Sequence, residues 1–191
     1  MTLLAFSLTC MSSIHAQDLY YDAYFRGDRV GFMKLSRSME GETMIVRSET
    51  RMTVSMLLSV DLQIQFETEF RNGNMVKSQT SSYRDGTLNG QSIGWRSGVS
   101  YIVNQDGERK TVVAPLIDRS VITTHFTKPD GIEEVFSERW GQFLSVSKEP
   151  DGRYALHLPN GNVNYYQYSG NLVTSLEVNY GWLSVEFKLR E

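Results

Sequence analysis

Residues 60–71 alternate so strictly that they constrain everything around them. Val60, Leu62, Ile64, Phe66 and Phe70 fall on one face of an extended chain; Asp61, Gln63, Gln65, Glu67 and Glu69 fall on the other. A period of two is the signature of a half-buried strand. A slip of one residue would carry the whole apolar row into water, so the register is firmly specified. The preceding stretch follows the same rule. From Thr43 onward Met44, Val46, Met52, Val54, Met56 and Leu58 share one face, against Arg47, Glu49 and Arg51.

The last third repeats one turn chemistry. Pro129-Asp130-Gly131, Pro150-Asp151-Gly152 and Pro159-Asn160-Gly161 each place a proline before Asx-Gly. Proline presets φ at the first turn position, and Asx-Gly tolerates the bend after it. Between the turns Tyr154, Leu156 and Leu158 oppose Arg153, Ala155 and His157; further on, Leu183, Val185, Phe187 and Leu189 oppose Ser184, Glu186 and Lys188. Residues 18–25 and 30–39 form a first hairpin around Arg26-Gly27-Asp28-Arg29. Residues 75–83, 93–96, 99–104 and 110–114 add shorter strands. Asp85-Gly86 and Asn89-Gly90 mark the stretch up to Ser92 as loop. Glu138-Arg139-Trp140-Gly141 reads as a bend. One helix is expected, over residues 115–126, where Leu116, Ile117, Val121 and Ile122 approach helical spacing.

That makes roughly 12 to 14 strands, more than a flat open sheet holds before it curls, closes or splits. The expected fold is all-β: a strongly curved antiparallel meander forming a half-barrel or open barrel, with at most one short helix near 115–126. With 191 residues, a single β-rich domain over 17–191 has enough chain for a sizeable core. Residues 1–16 read as a signal peptide. Leu3, Leu4, Ala5, Phe6 and Leu8 make a short apolar core, and Ala16 offers the small residue before a cut ahead of Gln17. The basic n-region of such signals is missing. Cys10, the one cysteine, would leave with that segment, and Thr9 before it makes a poor lipoprotein box. An exported, periplasmic or secreted location follows as an expectation.

The formal net charge of -3 gives no electrostatic footprint for nucleic acid. No apolar run reaches the length of a membrane span. No metal ligand set and no cofactor motif is read. His157 lies on a polar strand face without ligand-type neighbours, which is how a surface histidine reads. Asp118, Ser120 and His125 are the residue types of nucleophilic catalysis, but no strand-turn-helix elbow frames them. Glu67 and Glu69 are spaced as paired carboxylates can be in glycoside hydrolysis, although their neighbours belong to a solvated face.

The methionines carry more. Met33, Met39, Met44, Met52 and Met56 fall on the apolar faces of two long neighbouring strands. Flexible thioethers fill irregular cores and line adaptable apolar pockets. Trp95, Trp140, Phe143 and Trp182 are candidates for a pocket rim. The candidate ligand-binding set is therefore Met33, Met44, Met52, Met56, Trp140 and Phe143, for an apolar small molecule or lipid. A structural or interaction module of the cell envelope, with an envelope protein as partner, is the rival reading. A hydrolase using acidic residues is the third.

Residues 134–144 (Glu-Val-Phe-Ser-Glu-Arg-Trp-Gly-Gln-Phe-Leu) and 156–166 (Leu-His-Leu-Pro-Asn-Gly-Asn-Val-Asn-Tyr-Tyr) resemble a family of exported bacterial proteins catalogued as a domain of unknown function. The Val30-Gly31 opening is similar to a larger, related group of exported β-rich proteins. The resemblance implies export and a curved antiparallel sheet or half-barrel. By analogy it points to barrel-like lipoprotein carriers that hold acyl chains. It supplies no catalytic residues.

Overall fold

The computed structural model describes residues 16–55, 59–114, 116–180 and 183–190. Residues 1–15 of the expected signal peptide, Cys10 among them, and Met56, Leu58 and Trp182 lie outside the described residues. Strands β1 (Gln17–Phe25), β2 (Asp28–Glu40), β3 (Thr43–Ser55), β4 (Ser59–Arg71), β5 (Asn74–Arg84), β6 (Thr87–Ser97), β7 (Ser100–Gln105) and β8 (Glu108–Val113) form one antiparallel meander. A connection carrying a 3-10 turn at Ile122–His125 leads to the second meander. This comprises β9 (Glu134–Ser137), β10 (Gln142–Lys148), β11 (Tyr154–His157), β12 (Val163–Ser169), β13 (Leu172–Asn179) and β14 (Ser184–Leu189). The pairing of β1 with β14 joins the two halves into a single 14-stranded sheet, with β8 and β9 at its ends. Its two edges form no ladder with each other. The expected all-β, strongly curved, open-barrel class is the one observed.

Register places the apolar rows together. Met44 opposes Phe70, Met52 opposes Leu62 and Val54 opposes Val60, so the apolar rows of β3 and β4 face the same interior. Leu19, Tyr21, Leu35, Val46, Met75, Val173, Val185 and Phe187 complete a continuous core. The outer face of β3–β5 carries ion pairs, Arg47 with Glu67 at 2.7 Å and Lys77 with Glu69 at 3.1 Å. A barrel wall facing lipid has its apolar residues on the outside. Among the described residues no helix is long and apolar enough to cross a membrane.

Hairpin turns match the twist. At Asn72-Gly73 both residues have positive φ, 49° and 76°, the primed geometry that suits twisted strands. Register shifts between Ala23 and Tyr24, Glu69 and Phe70, Ser82 and Tyr83, and Gln167 and Tyr168 are bulges, which bend a strand and raise its twist. The sheet therefore curls until its ends meet through side chains. The Tyr101 ring of β7 packs edge-on against Phe136 of β9 at 5.4 Å. Arg139 reaches Asp106 at 2.9 Å and the Gln91 carbonyl at 3.3 Å.

Two expectations are corrected. Residues 87–92 are not loop: β6 runs through them, and only Asp85-Gly86 turns the chain. The inner face of β6 is Gly90, Ser92 and Gly94, while Ile93 and Trp95 point outward. A Cβ at Gly94 would sit 2.5 Å from the Tyr101 ring, and one at Gly90 would press on the Arg139 guanidinium. These glycines are spacers for large neighbours. The expected helix over 115–126 shrinks to Ile122–His125. Thr123 Oγ1 donates to the Ser120 carbonyl and accepts from the Ser120 N–H; Thr124 Oγ1 donates to the Val121 carbonyl. Such local side-chain bonds compete with a helix ladder. The surrounding backbone is also committed to strands, since the Met75 N–H bonds the Ile117 carbonyl and the Val121 N–H bonds the Phe136 carbonyl, both at 2.8 Å.

One strand position tests how tightly the sheet is built. Gly31 opposes Met52, and a Cβ there would sit 2.6 Å from the Met52 Cα. Gly31→Ala is expected to lower unfolding free energy by about 2–3 kcal/mol, read from the urea midpoint; an unchanged midpoint refutes this packing.

Candidate functional site

The connection between β8 and β9 does not run over the surface. It threads the curled sheet as a strap. Ile117, Ile122 and Phe126 are buried in the core. The His125 ring lies between Tyr21 at 6.4 Å and Tyr166 at 5.9 Å, edge-on to both. The Tyr168 hydroxyl donates to the Thr124 carbonyl at 2.9 Å. Cavities lie on either side of the strap.

The larger cavity, about 430 Å³, occupies the end of the barrel where β4 and β14 begin and β5 and β13 end. Val60, Leu62, Ile64 and Phe66 form one wall; Leu156, Leu176, Val178, Leu183 and Phe187 form the opposite wall. Their spacing follows from strand alternation alone. Val60, Leu62, Ile64, Phe66 and Val178 are only half-buried although they point inward, because the space they face is not filled. Exposed Arg84, Asn89 and Asn160 and half-buried Trp140 mark the mouth; Thr80, Ile122 and His125 lie further in. Along β5, Thr80 is four residues below Arg84, roughly 13 Å by strand rise. The smaller cavity, about 280 Å³, lies beyond the strap against Arg37, Met44, Val46 and Phe126.

The proposed ligand set scatters over this frame. Met33 and Trp140 line the larger cavity. Met44 lines the smaller one. Met52 is sealed in the core at 3% exposure and lines neither. Met56 lies outside the described residues. Phe143 points outward, 37% exposed, against Phe136, because its neighbour Leu144 takes the inward position of β10. Trp95 is also on the outer face, with Arg109 over its ring. The half-buried apolar row of β4, visible as alternation, contributes more to the cavity than the methionines do.

The acidic pair is not brought to the cavity: Glu67 and Glu69 hold outer-face ion pairs. Asp118 is exposed, Ser120 Oγ has no partner, and His125 Nδ1 contacts the Ile122 carbonyl at 3.3 Å. The three therefore assemble no triad. His157 Nε2 pairs with Ser147 at 3.1 Å on the surface. Among the described residues no three His, Cys, Asp or Glu side chains gather as a metal site.

Two buried ionisable groups anchor the strap. Glu138 is 1% exposed, and its carboxylate accepts the Ile122 N–H at 3.4 Å. Burial pushes its carboxyl up to about 7, against the opposing pull of Ser120, the backbone and Thr68. Oε2 and the Ser120 and Thr68 hydroxyls nonetheless lack partners in good geometry. Burial pushes His125 down to about 4. Sequence reading missed Glu138, which looks like one polar residue in a bend.

A family model described as a domain of unknown function, DUF6134, matches residues 21–190. A solved structure is similar in fold: the crystal structure of a beta-barrel-like protein of domain of unknown function DUF1849 from Brucella abortus. It superposes with a TM-score of 0.57 at 14% identity, covering 91% of this chain and 95% of that one. No curated protein matches the chain.

The two buried groups give opposite pH dependences. Folded Glu138 holds its proton above the unfolded value of 4.5, so its contribution to stability falls as pH rises from about 4.5 to 7. Folded His125 gives up its proton below the unfolded value of 6.5, so its contribution rises as pH rises from about 4 to 6.5. Each slope is at most about 1.4 kcal/mol per pH unit. Relative to wild type, Glu138→Gln should gain stability with rising pH across 4.5–7, and His125→Phe should lose it across 4–6.5. Urea titrations at stepped pH check both; parallel curves for all three proteins refute the assignment.

Proposed function

We propose a function for this chain from one premise: it belongs to the DUF6134 family, a domain of unknown function. The chain is an exported, non-enzymatic binding protein that takes an apolar or amphipathic small molecule into the interior of its curled sheet. The observation that carries this is the cavity of about 430 Å³ with two apolar walls. Its size falls within the range of small-molecule sites, and a mostly apolar lining with a few polar groups is their usual character. The wall residues are half-buried and inward-pointing, so an occupant would remove from water apolar surface that the fold leaves uncovered. At roughly 25 cal/mol per Å² that burial is a substantial driving force. The charged outer face supports a protein that meets water outside and its ligand inside. Export rests on the apolar segment at Leu3–Leu8 taken with Ala16, and among the described residues no acid-base or nucleophilic constellation competes for the cavity.

The reading predicts saturable binding of a fluorescent apolar probe, N-phenyl-1-naphthylamine. Ile64→Trp fills the cavity from β4 and should weaken that binding at least about tenfold, whereas Ile93→Trp on the outer face should leave it unchanged. Equal loss in both, or no binding by the wild type, sinks the reading. Export is checked by intact mass of protein recovered outside the cytoplasm, which should begin at Gln17.

A further inference from the structure

The inner end of the cavity is chemically unlike its walls, and it narrows the choice of occupant within the binding function proposed above, on which this inference rests. Among the described residues, six buried side chains carry a polar atom with no hydrogen-bond partner. Two of them, Thr80 and His125, line the larger cavity. The unpartnered atoms are Thr80 Oγ1 and His125 Nε2. Leaving a buried polar atom without a partner is unfavourable, and two such atoms in the lining of one cavity point to an occupant that completes them.

The tautomer of His125 is set by its neighbour. Nδ1 contacts the Ile122 carbonyl at 3.3 Å, and a carbonyl only accepts. Nδ1 therefore carries the proton, and Nε2 is left with a lone pair and no donor. Thr80 Oγ1 can donate or accept. The other buried polar side chains of the lining, Thr50, Ser137, Asn164 and Tyr166, are also uncharged. Charge enters the lining only through Arg84 and Arg139. Arg84 lies 3.8 Å from Asp85, and Arg139 is held by Asp106. A carboxylate carried to the inner end would lose its hydration and meet no cation, and an ammonium would find only Glu138, which lies behind Ile122 outside the lining and is driven by burial towards its protonated form.

We infer that the occupant is an uncharged amphiphile entering polar end first, with a hydroxyl or amide that donates to His125 Nε2 in a lining that also holds Thr80 Oγ1, its apolar body lying between the β4 wall and the β13–β14 wall. The strap thereby acts as the specificity element: it brings the His125 Nε2 acceptor into the barrel interior and sets it between the Tyr21 and Tyr166 rings.

The test displaces N-phenyl-1-naphthylamine from the full chain with four probes of matched length: decanol, methyl nonyl ether, decanoate and decyltrimethylammonium. Decanol should compete at about tenfold lower concentration than the ether, which lacks only the donor, and the two charged probes should compete more weakly than decanol. In His125→Phe and Thr80→Val the advantage of decanol over the ether should shrink towards none. On ¹⁵N-histidine protein, decanol and not the ether should shift the Nε2 resonance of His125. Probe binding with equal competition by alcohol and ether overturns the inference and leaves the binding reading intact, as does preference for either charged probe. Failure of the wild type to bind the fluorescent probe removes both. Should a variant not fold, the wild-type alcohol-to-ether ratio and the Nε2 shift decide alone.

Discussion

The curl depends on a strap stitched to strands that lie far apart in the sheet. The Met75 N–H on β5 bonds the Ile117 carbonyl, the Val121 N–H bonds the Phe136 carbonyl on β9, and the Phe136 N–H bonds the Arg119 carbonyl. β5 stands fourth from one end of the sheet and β9 is the other end. A sheet of this width is not held flat by its ladders, and its edges here do not pair. The strap supplies the closure that edge pairing supplies in a complete barrel. It also covers β9, whose backbone would otherwise be an open template for another chain.

Closure through a strap has a consequence for the interior. The buried residues of β4–β6 include several that are small and polar, Thr68, Ser78, Thr80 and Ser92, and Thr68 and Ser120 act on the buried Glu138. The opposite half, β12–β14 with β1, carries large side chains instead: Tyr166, Val173, Leu176, Phe187 and Tyr21. One side of the barrel is therefore apolar, and the other is a polar seam in which Thr80 and Ser92 lack partners and Glu138, Ser120 and Thr68 act on one another in poor geometry. Native interiors rarely leave such groups unpartnered without a reason. The cavity lies where the seam meets the β4 wall, so apolar surface and unmet polar atoms line the same space.

How far this was legible in the sequence depends on which face each residue shows. In β3 and β4 the inward residues are large and apolar and the outward ones charged, so alternation gave face and register at once. In β6 the inward residues are Gly90, Ser92 and Gly94, and the apolar Ile93 and Trp95 face water. A reading that equates apolar with inward cannot recover such a strand, and the glycines mimic turns. The helix expected over 115–126 failed for a related reason. Its apolar spacing is real, but the residues are buried from several directions as an extended strap, and Ser and Thr side chains compete for the backbone. On the Met-rich face Met33 lines the larger cavity and Met52 is sealed in the core; alternation cannot separate the two, because methionine fills a core as readily as it lines a pocket. Glu138 and His125 gave no local sign; their character arises from residues distant in sequence that close over them.

Electrostatics and packing then converge on one property of the cavity. Burial drives Glu138 towards its protonated form and His125 towards its neutral form, and both changes remove charge from the barrel interior. The charges that remain near the cavity sit at its mouth, where Arg139 is already matched by Asp106. The outer face concentrates its charges in ion pairs exposed to water, such as Arg47–Glu67, where they add little stability but maintain solubility. The protein thus separates charge from apolar volume across a single layer of strands, and the period-two alternation of residues 60–71 is what makes one layer sufficient. A strand that shows glutamate and glutamine to water on one face and a row of Val, Leu, Ile and Phe to an unfilled space on the other needs no second sheet behind it. It needs only curvature and something to hold the curve, which the bulges and the strap supply.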